Sequence, residues 1–262
     1  MNDSPDYRLD GFEPADASVE RDFFSLTLSD DMFATLAAHH TADGRASYLA
    51  VYDNAAIWDV PGAPAYRSIH LQRDLDNRTF TVSHDTHPVA PLAQRWLIQR
   101  GCPAAAIELT HPGVLPPADT LTTQIEARIK TSGNRYEVVD DHTYNPGSFD
   151  FGIETWTLAY DTHPDSAIAP YRLFLEQVTA DLSSYTVREG AFADADAAQH
   201  WLDTRDTPLP EPPEHPDDTA ARRTRAALTR STGLAVDPKA GLGTGATTSA
   251  SSAQRPNPGR SL

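Results

Sequence analysis

Residues 66–100 can be laid over residues 171–205 without a gap, at a constant offset of 105. Twelve of the 35 positions are identical: Tyr66/Tyr171, Arg67/Arg172, Gln72/Gln177, Asp76/Asp181, Thr81/Thr186, Val82/Val187, Ala90/Ala195, Ala93/Ala198, Gln94/Gln199, Trp96/Trp201, Leu97/Leu202 and Arg100/Arg205. Unrelated segments of this length share roughly two or three positions, and self-similarity at a fixed offset is the mark of a repeated structural unit. A chain of 262 residues that repeats in this way is expected to fold one small unit twice.

The matched segment has a physical pattern. Thr79–Ser83 and Ser184–Arg188 alternate with period two, which puts Phe80/Val82 and Tyr185/Val187 on one buried strand face. Ala90, Ala93, Leu97 and Arg100, with Trp96 beside them, trace a helical stripe, and Ala195, Ala198, Trp201, Leu202 and Arg205 repeat it. The two tryptophans read as core anchors.

Extended outward, the unit reads β-α-β-β-β-α, an α+β fold with an antiparallel sheet and helices packed on one face. In copy 1 (21–110), strand 23–28 precedes a helix over 30–40 capped by Ser29. Strands 47–53, 67–75 and 79–85 and a helix over 89–100 that stops at Gly101 follow. In copy 2 (111–205), a short strand over 106–110 leads in and Asp119 caps a helix reaching Lys130. An extra strand, 135–144, then precedes strands 154–161, 171–178 and 184–189 and a helix over 194–204. Residues 135–152 are an insertion relative to copy 1, and residues 1–20 read as a flexible N-terminus.

Beyond Asp206 the composition changes. Pro208, Pro210, Pro212, Pro213 and Pro216 make an extended acidic linker. Residues 220–230 form a short basic helix carrying Arg222, Arg223, Arg225 and Arg230, the expected interaction element. The rest is Gly, Ala, Thr and Ser, so 206–262 is expected to be disordered.

Charge narrows the function. Residues 1–205 hold 14 Lys and Arg against 31 Asp and Glu, and the whole chain carries −16. Such a body repels phosphate backbones and acidic membranes and attracts basic partners. With two lysines and abundant Ala, Asp, Pro, Thr and Arg, the composition resembles that of GC-rich bacterial genomes. The first six residues lack the features of a secretory signal, and the sequence has no bilayer-length apolar run; a cytoplasmic location is the default expectation. Cys102 is the single cysteine, so internal disulfides are excluded and a small buried thiol is expected.

Few motifs carry chemistry. Asp-Thr-His-Pro occurs at 85–88 and 161–164, but the two runs do not superpose at the repeat offset and read as turns. No cofactor or metal is expected. The densest ionisable cluster is Asp140-Asp141-His142 with Tyr144, Asp150 and Glu154; Asp141, His142, Tyr144 and Glu154 are the candidate catalytic residues because paired carboxylates beside a histidine can do general acid–base work. Helix–three strands–helix is similar to the element order of double-stranded-RNA-binding domains, and the 185–202 segment to the arm-type DNA-binding domain of tyrosine integrases. Both use a basic surface, whereas 171–205 has three arginines against six acids, so no family follows.

The leading expectation is a non-catalytic interaction or regulatory protein with an acidic surface and a basic or tail-docking protein partner. A hydrolase with a site at the copy interface near 142–152 is the alternative, and it would lead if Asp141, His142 and the copy interface lined the largest pocket together. A nucleic-acid-associated protein, acting through the basic tail helix or by acidic mimicry of DNA, is the third.

Overall fold

The computed structural model describes residues 4–56, 60–109, 114–144 and 153–213; the basic element at 220–230 lies outside them. The chain is α+β, and two sheets alternate with helices. In order, the elements are β1 (Glu13–Pro14), α1 (Ala17–Thr27), β2 (Phe33–His40), β3 (Ala46–Asp53), β4 (Tyr66–Asp74), β5 (Thr79–His87) and α2 (Ala90–Gln99). Then come α3 (Thr120–Lys130), β6 (Tyr136–Tyr144), β7 (Glu154–Asp161), β8 (Tyr171–Val178), β9 (Tyr185–Phe192) and α4 (Ala195–Thr204). The first sheet has the order β1-β5-β4-β3-β2 and the second β6-β7-β8-β9. Pairing is antiparallel throughout except for β1 on β5.

Both faces of each sheet are covered. In β3 the consecutive residues Tyr48, Leu49, Ala50 and Val51 are all buried. Leu49 and Val51 pack with Ile69, Leu71, Phe80 and Leu26 of α1. Tyr48 and Ala50 point the other way, onto Trp96 and Leu97 of α2. The second sheet packs Phe174 and Val187 on Ile125 and Ile129 of α3, and Leu173, Leu175 and Phe192 on Trp201 of α4. The layers therefore run α1, first sheet, α2 with α3, second sheet, α4. α2 is buried nearly all round, because Leu92 faces the second sheet's core while Trp96 and Leu97 face the first. Each large apolar side chain buried this way contributes about 1.5–3 kcal/mol.

The expectation of helices on one face is corrected here. An apolar run such as 48–51 lacks strict alternation, and burial on both sides is what such a run requires. The assignments over 23–40 are corrected as well. Phe23–Leu28, expected as a strand, belongs mostly to α1, whose cap is Asp16; its carboxylate accepts from the Ser18 and Val19 N–H groups at 2.7 and 3.0 Å. The expected helix over 30–40 is a single 3-10 turn followed by β2. Ser29 makes no side-chain cap bond, and Phe33 is extended. Ala and Leu favour a helix there locally, but burial of Phe33, Leu36 and Ala37 and pairing with β3 override that preference. The strand expected at 106–110 is replaced by a 3-10 turn at Ala104–Ile107. The 135–144 strand is β6, an edge strand occupying the place in its sheet that β2 holds in the first, so it is not an addition.

Residues 4–16 lie along the first sheet. The buried Arg73 guanidinium donates to the carbonyls of Tyr7 (2.6 Å), Arg8 (2.9 Å) and Gly44 (3.2 Å) and to the Ser47 hydroxyl (2.7 Å). Among the described residues no helix is long and apolar enough to cross a membrane.

Candidate functional site

The candidate residues at 141–154 fall on opposite faces of the second sheet. Cross-strand pairs alternate: Asp141↔Thr157 and Thr143↔Thr155 share one face, His142↔Trp156 and Tyr144↔Glu154 the other. His142 stacks on Trp156 with centroids 6.1 Å apart and packs against Gly62. Glu154 is held by Arg205, at 2.8 Å from Nη1, and by the Gln177 amide at 2.7 Å. Burial alone would raise its pKa, but these bonds outweigh that and lower it. Tyr144 is half-exposed. Asp141 is part-buried, and burial, then the Asp140 charge, pushes its pKa up. Asp141 and His142 therefore do not converge.

The first Asp-Thr-His-Pro run is not a simple turn, whereas the second leads into one. Thr86 and His87 continue β5, with His87 buried near Trp96 and its Nε2 unpartnered, and burial lowers its pKa to about 4. In the other run, Asp161 ends β7, and His163 opens a 3-10 turn. Asp161 accepts from Arg135 (2.7 and 2.8 Å), Arg172 (3.2 Å), Ser166 (2.6 Å) and the His163 N–H (3.0 Å). Burial works against its ionisation, but these donors hold it well below the usual carboxylate range. Cys102 is buried, and burial pushes its thiol up to about 11, which disfavours the thiolate form.

The space that brings polar groups together lies elsewhere. A cavity of about 370 Å³ opens between the inner faces of the two sheets. The first half supplies Ala34, Leu36, Tyr52, Asn54, Ala65 and Tyr66, then Pro88 and Ala90 at the start of α2. Leu109, Val114 and Leu115 border it, and the second half supplies Thr143, Ile153, Thr155, Glu176, Val178 and Tyr185. Its volume lies toward the low end for small-molecule sites, and its lining is mostly apolar, as such sites are. An adjoining cavity of about 420 Å³ shares Ala90, Leu109, Val114, Leu115 and Tyr185 and adds Glu126 and Lys130.

Most polar groups here already have partners. The Asn54 amide donates to the Met32 carbonyl at 2.8 Å, and the Thr155 hydroxyl donates to Thr143 at 3.2 Å. The Tyr185 hydroxyl donates to the Glu126 carboxylate at 2.5 Å. The Tyr52 and Tyr66 hydroxyls make no hydrogen bond with a described residue, and Glu176 is the one lining carboxyl: it makes no hydrogen bond or ion pair with any described residue. It is part-exposed and lines the cavity. Burial, reinforced by the Glu126 charge, pushes its pKa up to about 8. A carboxyl in this state is neutral at pH 7 and ready to ionise against a suitable partner.

The sequence reading missed Glu176, although the repeat contained the signal. At the offset of 105, Glu176 matches Leu71 and Tyr185 matches Phe80, so polar groups replace apolar ones at positions expected to be buried. Pro14-Ala15-Asp16 and Pro117-Ala118-Asp119 also match, at an offset of 103, and would have located both leading helices. No family model, curated protein or solved structure matches the chain.

Proposed function

We propose that the chain is a tandem duplication of one unit and acts as a non-catalytic binding protein, with its ligand site in the cavity where the two copies meet. Recurrence of specific contacts at matched positions supports the duplication. The Asp53 N–H donates to Ala65 O at 2.8 Å, and the Asp161 N–H to Pro170 O at 2.7 Å. Asp53 pairs with Arg67, and Asp161 with Arg172. Tyr52 and Tyr66 meet edge to face at 5.3 Å and 79°, and Tyr160 and Tyr171 at 5.5 Å and 77°. The Ala15 N–H donates to Phe80 O at 2.9 Å, and the Ala118 N–H to Tyr185 O at 2.8 Å. The unit that these contacts outline is β-α-β-β-β-β-α, its leading strand reduced in the second copy to the Pro117↔Tyr185 bridge.

The Glu176 carboxyl, unpaired among the described residues and facing a mostly apolar cavity, supports the binding reading. Burying a carboxyl without a partner costs stability, so a ligand that satisfies it accounts for its presence. The test is a thermal-shift screen of small molecules on the full chain, beside Val178→Phe, which narrows the cavity. Ligands at 100 times Kd should stabilise the parent by about 2.7 kcal/mol. The filled variant should not respond; the same response from both proteins would refute the reading.

An acid–base enzyme is the second reading, favoured by the neutral state of Glu176, in which a carboxyl can donate a proton. Turnover of a bound compound that disappears in Glu176→Gln would put this reading first.

A further inference from the structure

We propose that the cavity binds an organic cation, an amine or ammonium group on an apolar body, with Glu176 as its counter-ion. The inference rests on the cavity-binding reading above and adds the chemical class of the ligand.

Three observations carry it. First, the two copies differ at one constellation. In the first, Phe23 and Phe80 meet edge to face at 5.1 Å over the buried Leu71, an apolar cluster beneath α1. The matched positions in the second are Glu126, Tyr185 and Glu176, beneath α3. The unit folds with three apolar residues there, so two carboxylates and a phenol are not needed to build it. Second, most other acids with limited exposure in the second copy have partners: Asp161 its arginines, Glu189 Arg128, and Glu126 the Tyr185 hydroxyl; Asp141, which has none among the described residues, lies outside the cavity lining. Among the described residues nothing pairs with Glu176, which lines the cavity. Third, the described lining holds no lysine, arginine or histidine. It places the aromatic residues Tyr52, Tyr66 and Tyr185 about the same space as that carboxyl. Aromatic faces with a nearby carboxylate attract cations and repel anions. The chain's −16 charge adds a long-range pull of the same sign.

Binding must be linked to a proton. At pH 7 the empty site holds Glu176 protonated, and the arriving cation pairs with the carboxylate, so up to one proton leaves for the buffer. The groups facing Glu176 are Tyr52 and Tyr66 from the first sheet, Tyr185 from β9 and Glu126 from α3. Burial keeps the tyrosines neutral across the working range.

The experiment is isothermal titration of the full chain with three ligands of one shape: an arylalkyl trimethylammonium, its neutral tert-butyl isostere and the matching carboxylate. The ammonium should bind at least tenfold tighter than the isostere, and the carboxylate should not bind. The ammonium's affinity should rise between pH 6 and 8.5, with heats that vary with the buffer's ionisation enthalpy. Glu176→Gln should lose that tenfold preference and the buffer dependence while still binding the isostere; Glu176→Leu, carrying the residue found at position 71, serves as a second variant should the first fold poorly. If the isostere binds as tightly as the ammonium, and Val178→Phe blocks both, the cation inference fails and the cavity reading survives. If nothing binds and Val178→Phe alters no ligand response, both fail.

Discussion

Replacing Glu176 with glutamine should stabilise the empty protein by an amount that depends on pH. In the unfolded chain this carboxyl ionises near 4.5, and in the folded protein near 8. The folded state therefore holds one more proton between those limits, and wild-type stability falls as pH rises through them. Each unit of separation corresponds to ~1.4 kcal/mol. At pH 7 the ceiling is ~3.4 kcal/mol; because the carboxyl borders the cavity and is not sealed in protein, we expect about 2–3. Glutamine has nearly the same shape and no charge to suppress, so it escapes the penalty. Urea unfolding of both proteins at pH 4.5, 7 and 8.5 measures the difference, and every other titrating group is common to the pair. The gap should be near zero at pH 4.5, about 2–3 kcal/mol at pH 7, and larger at pH 8.5. A gap equal at all three values would mean that Glu176 ionises normally in the fold, and the reasoning from its place in the cavity lining would be refuted.

Other perturbations test the rest of the structure. His87 has its pKa lowered to about 4 by burial, so its neutral form contributes stability above pH 6.5 that is lost as pH falls through 4. His87→Phe, which copies the matched residue 192, should flatten that acid loss in a melting series from pH 7 to 4. Asp161→Ala leaves the fully buried Arg172 without its main counter-charge, and should cost about 3–5 kcal/mol in urea unfolding. Gly62 has φ +86, and an added Cβ there would lie 2.2 Å from the His142 ring. Gly62→Ala should cost about 1–3 kcal/mol by thermal melting, with part of the loss recovered in a His142→Ala background.

The sequence alone determined the parts whose cause is local. The repeat located β4, β5 and α2 and their counterparts β8, β9 and α4 with small end errors, because alternation, the alanine stripe and the Gly101 stop operate within a few residues. Trp96 and Trp201 were legible as core for the same reason. Residues 23–40 were misread because the aromatic pair Phe23-Phe24 favours a strand locally and the Ala-rich 34–38 favours a helix. Only contacts with Leu49, Val51 and Ile69 reverse both preferences. The cavity was beyond sequence reasoning altogether. Glu126 meets Tyr185 from 59 residues away, and Tyr66 faces Glu176 only because the inner face of one sheet is turned toward the inner face of the other. Which faces meet, and which carboxyl comes to line the cavity, is decided by the packing of α2 and α3 between the sheets, since a charge's energy depends on its neighbours in space and not on those along the chain.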